Sequence, residues 1–287
     1  MKRTLLIIGT DFQWEEQELM AIAKSLKHPI HFLDAHHVDI RIGKMEAELF
    51  YEGKNMTNAF KKSRVIFRRA RGDHEKMISL SLLAQNWNVP FTDSVISIMS
   101  NLNKAIALPA TTTKLIRHIP THFVGSGESL APGSLSFSFP LLAKPVHGRH
   151  GKGVEILRNK TALACYIRRN NRALMIQPFL PVASEYRVFV VGGLSLGVIQ
   201  KIPKRGSSIA NYAAGAQFLP ARMAPQILEE VVRLCREQGV DIGGVDLAKV
   251  GNDFYLLEIN RCPEFKAFSE ATGQNVAQAI VRFALSK

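Results

Sequence analysis

The chain has 287 residues, 46% of them hydrophobic, enough apolar material for a sizeable core and for two or three subdomains. Lysine and arginine number 37 against 24 acidic residues, a formal net charge of +13, which favours polyanionic partners: nucleotide phosphates, nucleic acid, or an acidic peptide or protein. No apolar run is long enough to cross a bilayer, and three scattered cysteines (Cys165, Cys235, Cys262) argue against a disulfide framework and for a reducing, cytoplasmic setting.

The opening MKRTLLIIGT places basic residues before an apolar run, but Leu5–Ile8 is too short for a leader and no small-residue cleavage site follows. It is predicted as a first strand. Residues 15–26 are predicted helical, with Leu19, Ile22, Ala23 and Leu26 on one face. IHFLDA and RVIFRR (64–69) read as strands, and HEKMISLSLLAQNW as a helix before VPFTD. This alternation predicts a small, mostly parallel sheet in an N-terminal α/β domain over residues 1–100. No GxGxxG occurs, so a dinucleotide fingerprint is excluded.

From residue 101 the character changes. NKAIALPATTTKLI reads as a loop and helix, and PTHFVG as a strand before a Gly/Ser/Pro loop at 125–136. FPLLAKPVHGRHGKGVEIL reads as strand, glycine loop, strand, with a helix near 161–170. From 174 the signals are mainly β, with helices near 224–238 and 274–285; VVGGLS and VGND mark hairpin turns.

Four groups of residues carry chemistry. In AKPVHGRHGKGVEI, Lys144 ends a strand and Gly148, Gly151 and Gly153 let backbone amides approach phosphate oxygens. The chain then enters an apolar strand, which rules out a Walker A loop; the plain alternative is an ordinary glycine-rich hairpin. Next, the strand LMIQPFL reaches Gln177 and Pro178, where proline withholds a ladder donor and leaves backbone able to read an adenine edge. Glu185 could hold ribose hydroxyls and Arg187 a phosphate or carboxylate, although two such residues are more often a surface pair. Third, Lys201, Lys204 and Arg205 cluster after an apolar strand, with Asn211 in the following loop. Solvation accounts equally well for Lys204 and Arg205, less well for Lys201, which continues the strand.

Fourth, Asp246 lies twelve residues before Glu258, and the intervening GND turn makes the two segments a hairpin. Pairing symmetric about Asn252 sets Asp246 opposite Glu258, with Asn260 beside it. Facing carboxylates are unfavourable across a strand pair unless a cation lies between them. An oxygen-only set of this kind suits Mg²⁺ or Mn²⁺.

In this order the motifs resemble the ATP-grasp superfamily, and most closely the RimK-type α-L-glutamate ligases. The resemblance spans roughly residues 100–285 and rests on AKPVHGRHGKGV, IQPFL, EYRVFVVGG, IQK, the Asn211 loop, GVDL and EINRCP. It implies an α+β ATP-grasp fold: the N-terminal domain, a central subdomain over 101–176 and a C-terminal subdomain over 177–287. It further implies that Lys104 and Lys144 contact ATP phosphates and that Gln177, Pro178, Phe179 and Leu180 hold adenine. Arg187, Lys201 and Asn211 would face the phosphates and the acyl-phosphate. Asp246, Glu258 and Asn260 would bind two Mg²⁺ ions, with the glutamate bridging. Glu185, Asn103, Lys201 and Glu264 stand where the family usually has Asp, Asp, Arg and Gly, and the last change bears on the amino-acid substrate.

The implied reaction joins a carboxylate to an amine through an acyl-phosphate, with ATP consumed. The substrates would be glutamate or another amino acid and a peptide, protein or small-molecule acceptor. Relatives often form dimers or tetramers, so the resemblance allows a homo-oligomer. The run Lys61, Lys62, Arg64, Arg68, Arg69, Arg71 ends at the C-terminal edge of a predicted strand, where open α/β sheets bind ligands. Arg68 and Arg69 are therefore expected to hold an acidic substrate, the alternative being a solvated basic face. Two other readings stand beside the ligase: a basic nucleic-acid-binding protein, against which no RNA or DNA motif appears, and an ATP-binding homologue without activity.

Overall fold

The structure, a computed structural model, describes residues 2–100, 114–125, 135–147, 153–202 and 217–287. Strands β1 (Leu5–Gly9) and β2 (Ile30–Asp34) pair in parallel, as expected from the first two apolar runs. β3 (Val38–Ile42), β4 (Ala47–Tyr51) and β5 (Lys54–Asn55) then form a small antiparallel sheet, absent from the expected elements although VDIRI alternates cleanly. β6 (Arg64–Phe67) returns to pair with β1, giving the order β2-β1-β6. β1 is buried on both faces, which is why LLII reads as a continuous run rather than an alternation. Leu5 and Ile7 pack with helix Trp14–Ser25, and Leu6 and Ile8 with helix His74–Asn86.

β7 (Ile116–His118) lies where the end of a helix was expected, and the rest of that stretch falls outside the described residues. β8 (His122–Val124), β9 (Leu141–Pro145), β10 (Glu155–Leu157) and β11 (Leu174–Pro178) build a central antiparallel sheet in the order β10-β9-β11-β8. Helix Lys160–Arg169 closes one face with Leu163 and Tyr166, over Leu141, Ala143, Leu174 and Ile176. Lys144, Leu142, Met175 and Gln177 are register partners on the opposite face.

The C-terminal sheet is the largest. β12 (Ser184–Val191), β13 (Leu194–Ile202), β14 (Gln217–Ala221), β15 (Ile242–Val250) and β16 (Asp253–Asn260) assemble as β14-β13-β12-β15-β16, and β7 adds in parallel to β16. The segment read as part of the central subdomain thus supplies the last strand of this sheet. Helix Pro225–Glu237 covers one face through Val231, Leu234 and Cys235. On the other face Phe189, Val191 and Ile199 meet Phe265, Phe268 and helix Val276–Ser286. These C-terminal elements also pack on Leu5 and Ile7, so one apolar core joins the N-terminal sheet to the C-terminal one. Each fully buried Leu or Phe contributes about 1.5–3 kcal/mol, so this shared core is a strong tether. The polar residues of the same face, two positions along from Phe189 and Ile199, are left to form a site.

Candidate active site

Four adjacent strands carry that site. Arg187 on β12 is directly opposite Asp246 on β15, Glu185 is opposite Lys201 on β13, and Asp246 is opposite Glu258 on β16. Directly opposed residues share a face, so Lys201, Glu185, Arg187, Asp246, Glu258 and Asn260 line one patch of the sheet.

The hairpin register differs from the symmetric one expected. Val250 pairs with Asp253, so the turn is the two residues Gly251-Asn252, and continued regularly this register would set Asp246 against Leu257. A register shift between Asp246 and Leu247 skips Leu257 and brings Glu258 opposite Asp246 after all. The bulge also exchanges faces: Leu256 packs under helix Pro225–Glu237, and Ile259, an odd number of residues on, does so too. Glu258 and Asn260 are therefore turned to the face of Asp246.

Within the patch, two cations meet three carboxylates, and Asp246 takes both cations. Arg187 Nε and Nη2 donate to the two Asp246 oxygens at 2.7 and 2.8 Å, a bidentate pair, and Lys201 Nζ donates to Oδ2 at 2.5 Å. Asn260 Nδ2 donates to Glu258 Oε1 at 2.7 Å. Burial by itself would raise the Asp246 carboxyl, but Arg187 and Lys201 outweigh it and hold it below the usual carboxylate range. Burial works on Arg187 in the opposite sense and Asp246 overcomes it, so the guanidinium stays charged. Glu185 is shifted upward, first by burial; Lys201 opposes this, and Asp246 and Glu258 add to it.

This donor set fits a hard divalent cation. Asp246 and Glu258 offer carboxylate oxygens on facing strands, and the Asn260 amide, whose nitrogen serves Glu258, offers its carbonyl. Among the described residues no group of three or more His, Cys, Asp or Glu could hold a metal unaided, so further ligands would come from elsewhere, as phosphate oxygens do for Mg²⁺.

On the central sheet, Gln177 is buried and its Nε2 donates to Thr121 Oγ1 at 2.7 Å, while Oε1 has no hydrogen-bond partner among the described residues. The ladder ends just beyond: Pro178 pairs with Leu141, the Phe179 amide donates to Pro140 O, and Phe179 is exposed. Gly153 has φ +77, and a Cβ there would approach Pro145 Cγ to 2.9 Å, so only glycine lets the hairpin fold back beside Lys144. Lys104, Gly148, Gly151 and Asn211 lie outside the described residues.

At the N-terminal sheet the two arginines separate. Arg68 is buried, with Nε donating to Glu16 at 2.8 Å, and it also lines the cavity between this sheet and Glu264. Arg69 reaches across to the loop after Asn260, donating to Glu264 at 3.2 Å and to Cys262 O at 3.3 Å. A small cavity here is lined by Asp11, Gln13, Glu15, Glu16, Arg68, Arg69 and Glu264. Cys262 is buried against Phe67 O, in keeping with a packing role. Sequence reasoning missed Glu15, Glu16, Asp93 and Arg261; each acts through a partner far away in the chain, which no local pattern signals.

Residues 74–284 match the RimK-like ATP-grasp domain, and the chain belongs to that family. A probable alpha-L-glutamate ligase of Nitrosococcus oceani is 21% identical over 282 residues, covering 94% of this chain and 91% of that one. The ribosomal protein bS6–L-glutamate ligase of Escherichia coli is 27% identical over 149 residues, covering 50% of each chain. The chain thus aligns with about half the length of several curated relatives. In structure it resembles the ATP-grasp ligase PsnB complexed with a minimal precursor, with a TM-score of 0.74 at 14% identity over 100% of this chain and 98% of that one. That likeness shows the ATP-grasp fold. No described helix is long and apolar enough to cross a membrane.

Proposed function

We propose that this protein is an ATP-dependent carboxylate–amine ligase that makes an amide through an acyl-phosphate. The observation that carries the reading is the row Lys201, Arg187, Asp246, Glu258, Asn260, set side by side on four adjacent strands. Lys144, on the central sheet face that also bears Gln177, completes the nucleotide side. Gln177 Oε1 offers an acceptor for the adenine amino group, and Pro178 to Leu180 supply the edge on which adenine lies. Glu185, with its ionised form disfavoured by burial, suits hydrogen bonding to ribose hydroxyls.

Mg²⁺ or Mn²⁺, held as two ions by Asp246, Glu258 and Asn260, would neutralise charge on the phosphates. Arg187 and Lys201 do the same from the protein side, because each is fixed by Asp246 and aligned before substrate arrives. A substrate carboxylate oxygen bonds to the γ-phosphorus as the bond to the ADP oxygen breaks. The amine then attacks the acyl carbon, phosphate leaves, and the amine proton passes to phosphate or solvent. Lys104, Gly148, Gly151 and Asn211 are assigned to the phosphates and acyl-phosphate on the family resemblance.

The pair Arg69–Glu264 is the charge complement of an amino-acid zwitterion and lies at the rim of the cavity beside the loop after Asn260. The substrates are therefore glutamate or another amino acid together with a peptide, protein or small-molecule acceptor. A relative named for ribosomal protein bS6, and a structural neighbour complexed with a minimal precursor, support a peptide or protein acceptor. The test is a screen of amino acids with acidic peptides for amine-dependent ADP release, read with product mass. A product heavier by one residue, formed with one ADP, supports the reading; salt-sensitive RNA binding with no ADP release in any pairing would replace it with the nucleic-acid reading.

A further inference from the structure

Arg261, the residue after Asn260, is buried where the N-terminal and C-terminal sheets meet. Its Nη1 donates to Phe67 O at 2.8 Å and to Asp93 Oδ2 at 3.2 Å, and its Nη2 donates to Arg68 O at 3.0 Å. Phe67 ends β6 and Arg68 follows it. Asp93 also belongs to the N-terminal domain and takes the left-handed conformation, φ +64. Its Oδ1 accepts from the amides of Asp241 at 2.8 Å and Ile242 at 3.1 Å, and its own amide donates to Asp241 Oδ2 at 2.8 Å. Asp241 immediately precedes β15 and Ile242 opens it; this is the strand that carries Asp246.

The approach is close enough to require a glycine. The Ser94 amide donates to Gly239 O at 2.7 Å, and a Cβ on Gly239, whose φ is +64, would come within 2.0 Å of Ser94 Oγ. One point of the N-terminal domain therefore grips the start of β15 through Asp93 and the end of β16 through Arg261. These are the two ends of the hairpin that bear Asp246, Glu258 and Asn260. The loop beyond is gripped as well, through Arg69 on Cys262 O and the Phe265 amide on Glu15.

A buried ion pair is a poor source of net stability compared with apolar packing of similar volume, so its use here is geometric. We propose that Arg261, held by Asp93 and the Phe67 and Arg68 carbonyls, is a positioning residue for the ligase reaction. It fixes Glu258 and Asn260 against the end of β6, so that the nucleotide phosphates and the carboxylate substrate meet at one place. Arg261 touches neither. The inference rests on the ligase reading and adds to it a residue that acts through its neighbours. Partners that orient metal ligands are worth roughly 10–100-fold in metal affinity.

The experiment is calorimetric titration of the full chain with ADP, with and without Mg²⁺, for wild type, Arg261→Met, Arg261→Lys and Asp93→Ser. Affinity for ADP without Mg²⁺ is expected to stay within about twofold of wild type in all variants, because the adenine edge and Lys144 belong to the central sheet. The gain in affinity on adding Mg²⁺ is expected to fall about tenfold or more in Arg261→Met and Asp93→Ser and to recover in part in Arg261→Lys. A merely structural loss would lower both affinities together. A full Mg²⁺-dependent gain in Arg261→Met overturns the proposal, as it does in Asp93→Ser should Arg261→Met fail to fold. Wild type that shows no Mg²⁺-dependent ADP binding would instead remove the ligase reading itself.

Discussion

Asp246 stands opposite Glu258 because Leu257 is left out of the ladder. The two-residue turn at Gly251-Asn252 sets a register in which Leu257 would occupy that place. The extra residue turns Glu258 and Asn260 away from helix Pro225–Glu237 and toward Arg187 and Lys201. Bulges commonly re-aim side chains next to functional sites, and this one completes the carboxylate pair.

The bulge predicts opposite outcomes for two length changes. Deleting Leu257 removes the unpaired residue yet keeps Glu258 opposite Asp246, so Mg²⁺-dependent ADP binding should persist within about threefold of wild type. Inserting one alanine after Leu257 moves Glu258 out of its place opposite Asp246, and that binding should be lost. Calorimetry on both proteins decides; equal losses would show that the register does not govern the site.

Asp246 is buried and is the shared partner of two cations, Lys201 buried and Arg187 partly buried. Asp246→Ala leaves Arg187 and Lys201 without it and should cost about 3–5 kcal/mol in urea unfolding. Lys201→Met leaves the bidentate Arg187–Asp246 pair in place and should cost clearly less, while still lowering ligase turnover. A Lys201→Met protein as unstable as Asp246→Ala would contradict this ranking.

Arg68 and Arg69 should part company under mutation. Arg68→Ala strands Glu16 in a buried position and should destabilise the protein by about 3–5 kcal/mol. Arg69 and Glu264 form a more exposed pair, so Arg69→Ala should change stability by less than about 1 kcal/mol. It should instead raise the apparent KM of the amino acid or acidic acceptor about tenfold and leave the KM of ATP unchanged. Steady-state kinetics with each substrate varied in turn is the measurement, and an unaltered KM would remove Arg69 from the substrate site.

Asp93 predicts an unusual slope of stability with pH. Burial pushes its carboxyl up from 3.8 to about 6, against the pull of Arg261 and of the Asp241 and Ile242 amides. The folded protein therefore holds a proton that the unfolded chain has released between these values. Stability from this group is present below 3.8 and is lost as pH rises to about 6, by on the order of 2–3 kcal/mol. Asp246 has the opposite sign: its contribution is present above the ordinary value of 3.8 and is lost as pH falls through its lowered one. Urea unfolding from pH 4 to pH 7 should show the decline in wild type and a flatter line in Asp93→Asn. Parallel curves for the two proteins would count against the shift.

Much of this molecule was readable from its residues in order. Apolar runs and helical spacing placed β1, β2, β6, the first helix and the long C-terminal strands, because burial imprints its period on the sequence. The turn signal at Gly251-Asn252 and the spacing of Asp246, Glu258 and Asn260 marked the hairpin and its oxygen donors. Tertiary structure decided the rest. The bulge at Leu257 depends on which residues the neighbouring helix accepts. The neutralisation of Asp246 depends on strands that bring residues 187, 201 and 246 into adjacent rows. Arg68 looks like a ligand contact in its basic run and becomes a buried partner of Glu16 once the first helix docks. Asp93 and Arg261 are 168 positions apart, and neither has a local pattern to announce it. Patterns along the chain record which side chains are buried; which distant side chains then face one another is set by how sheets stack and register.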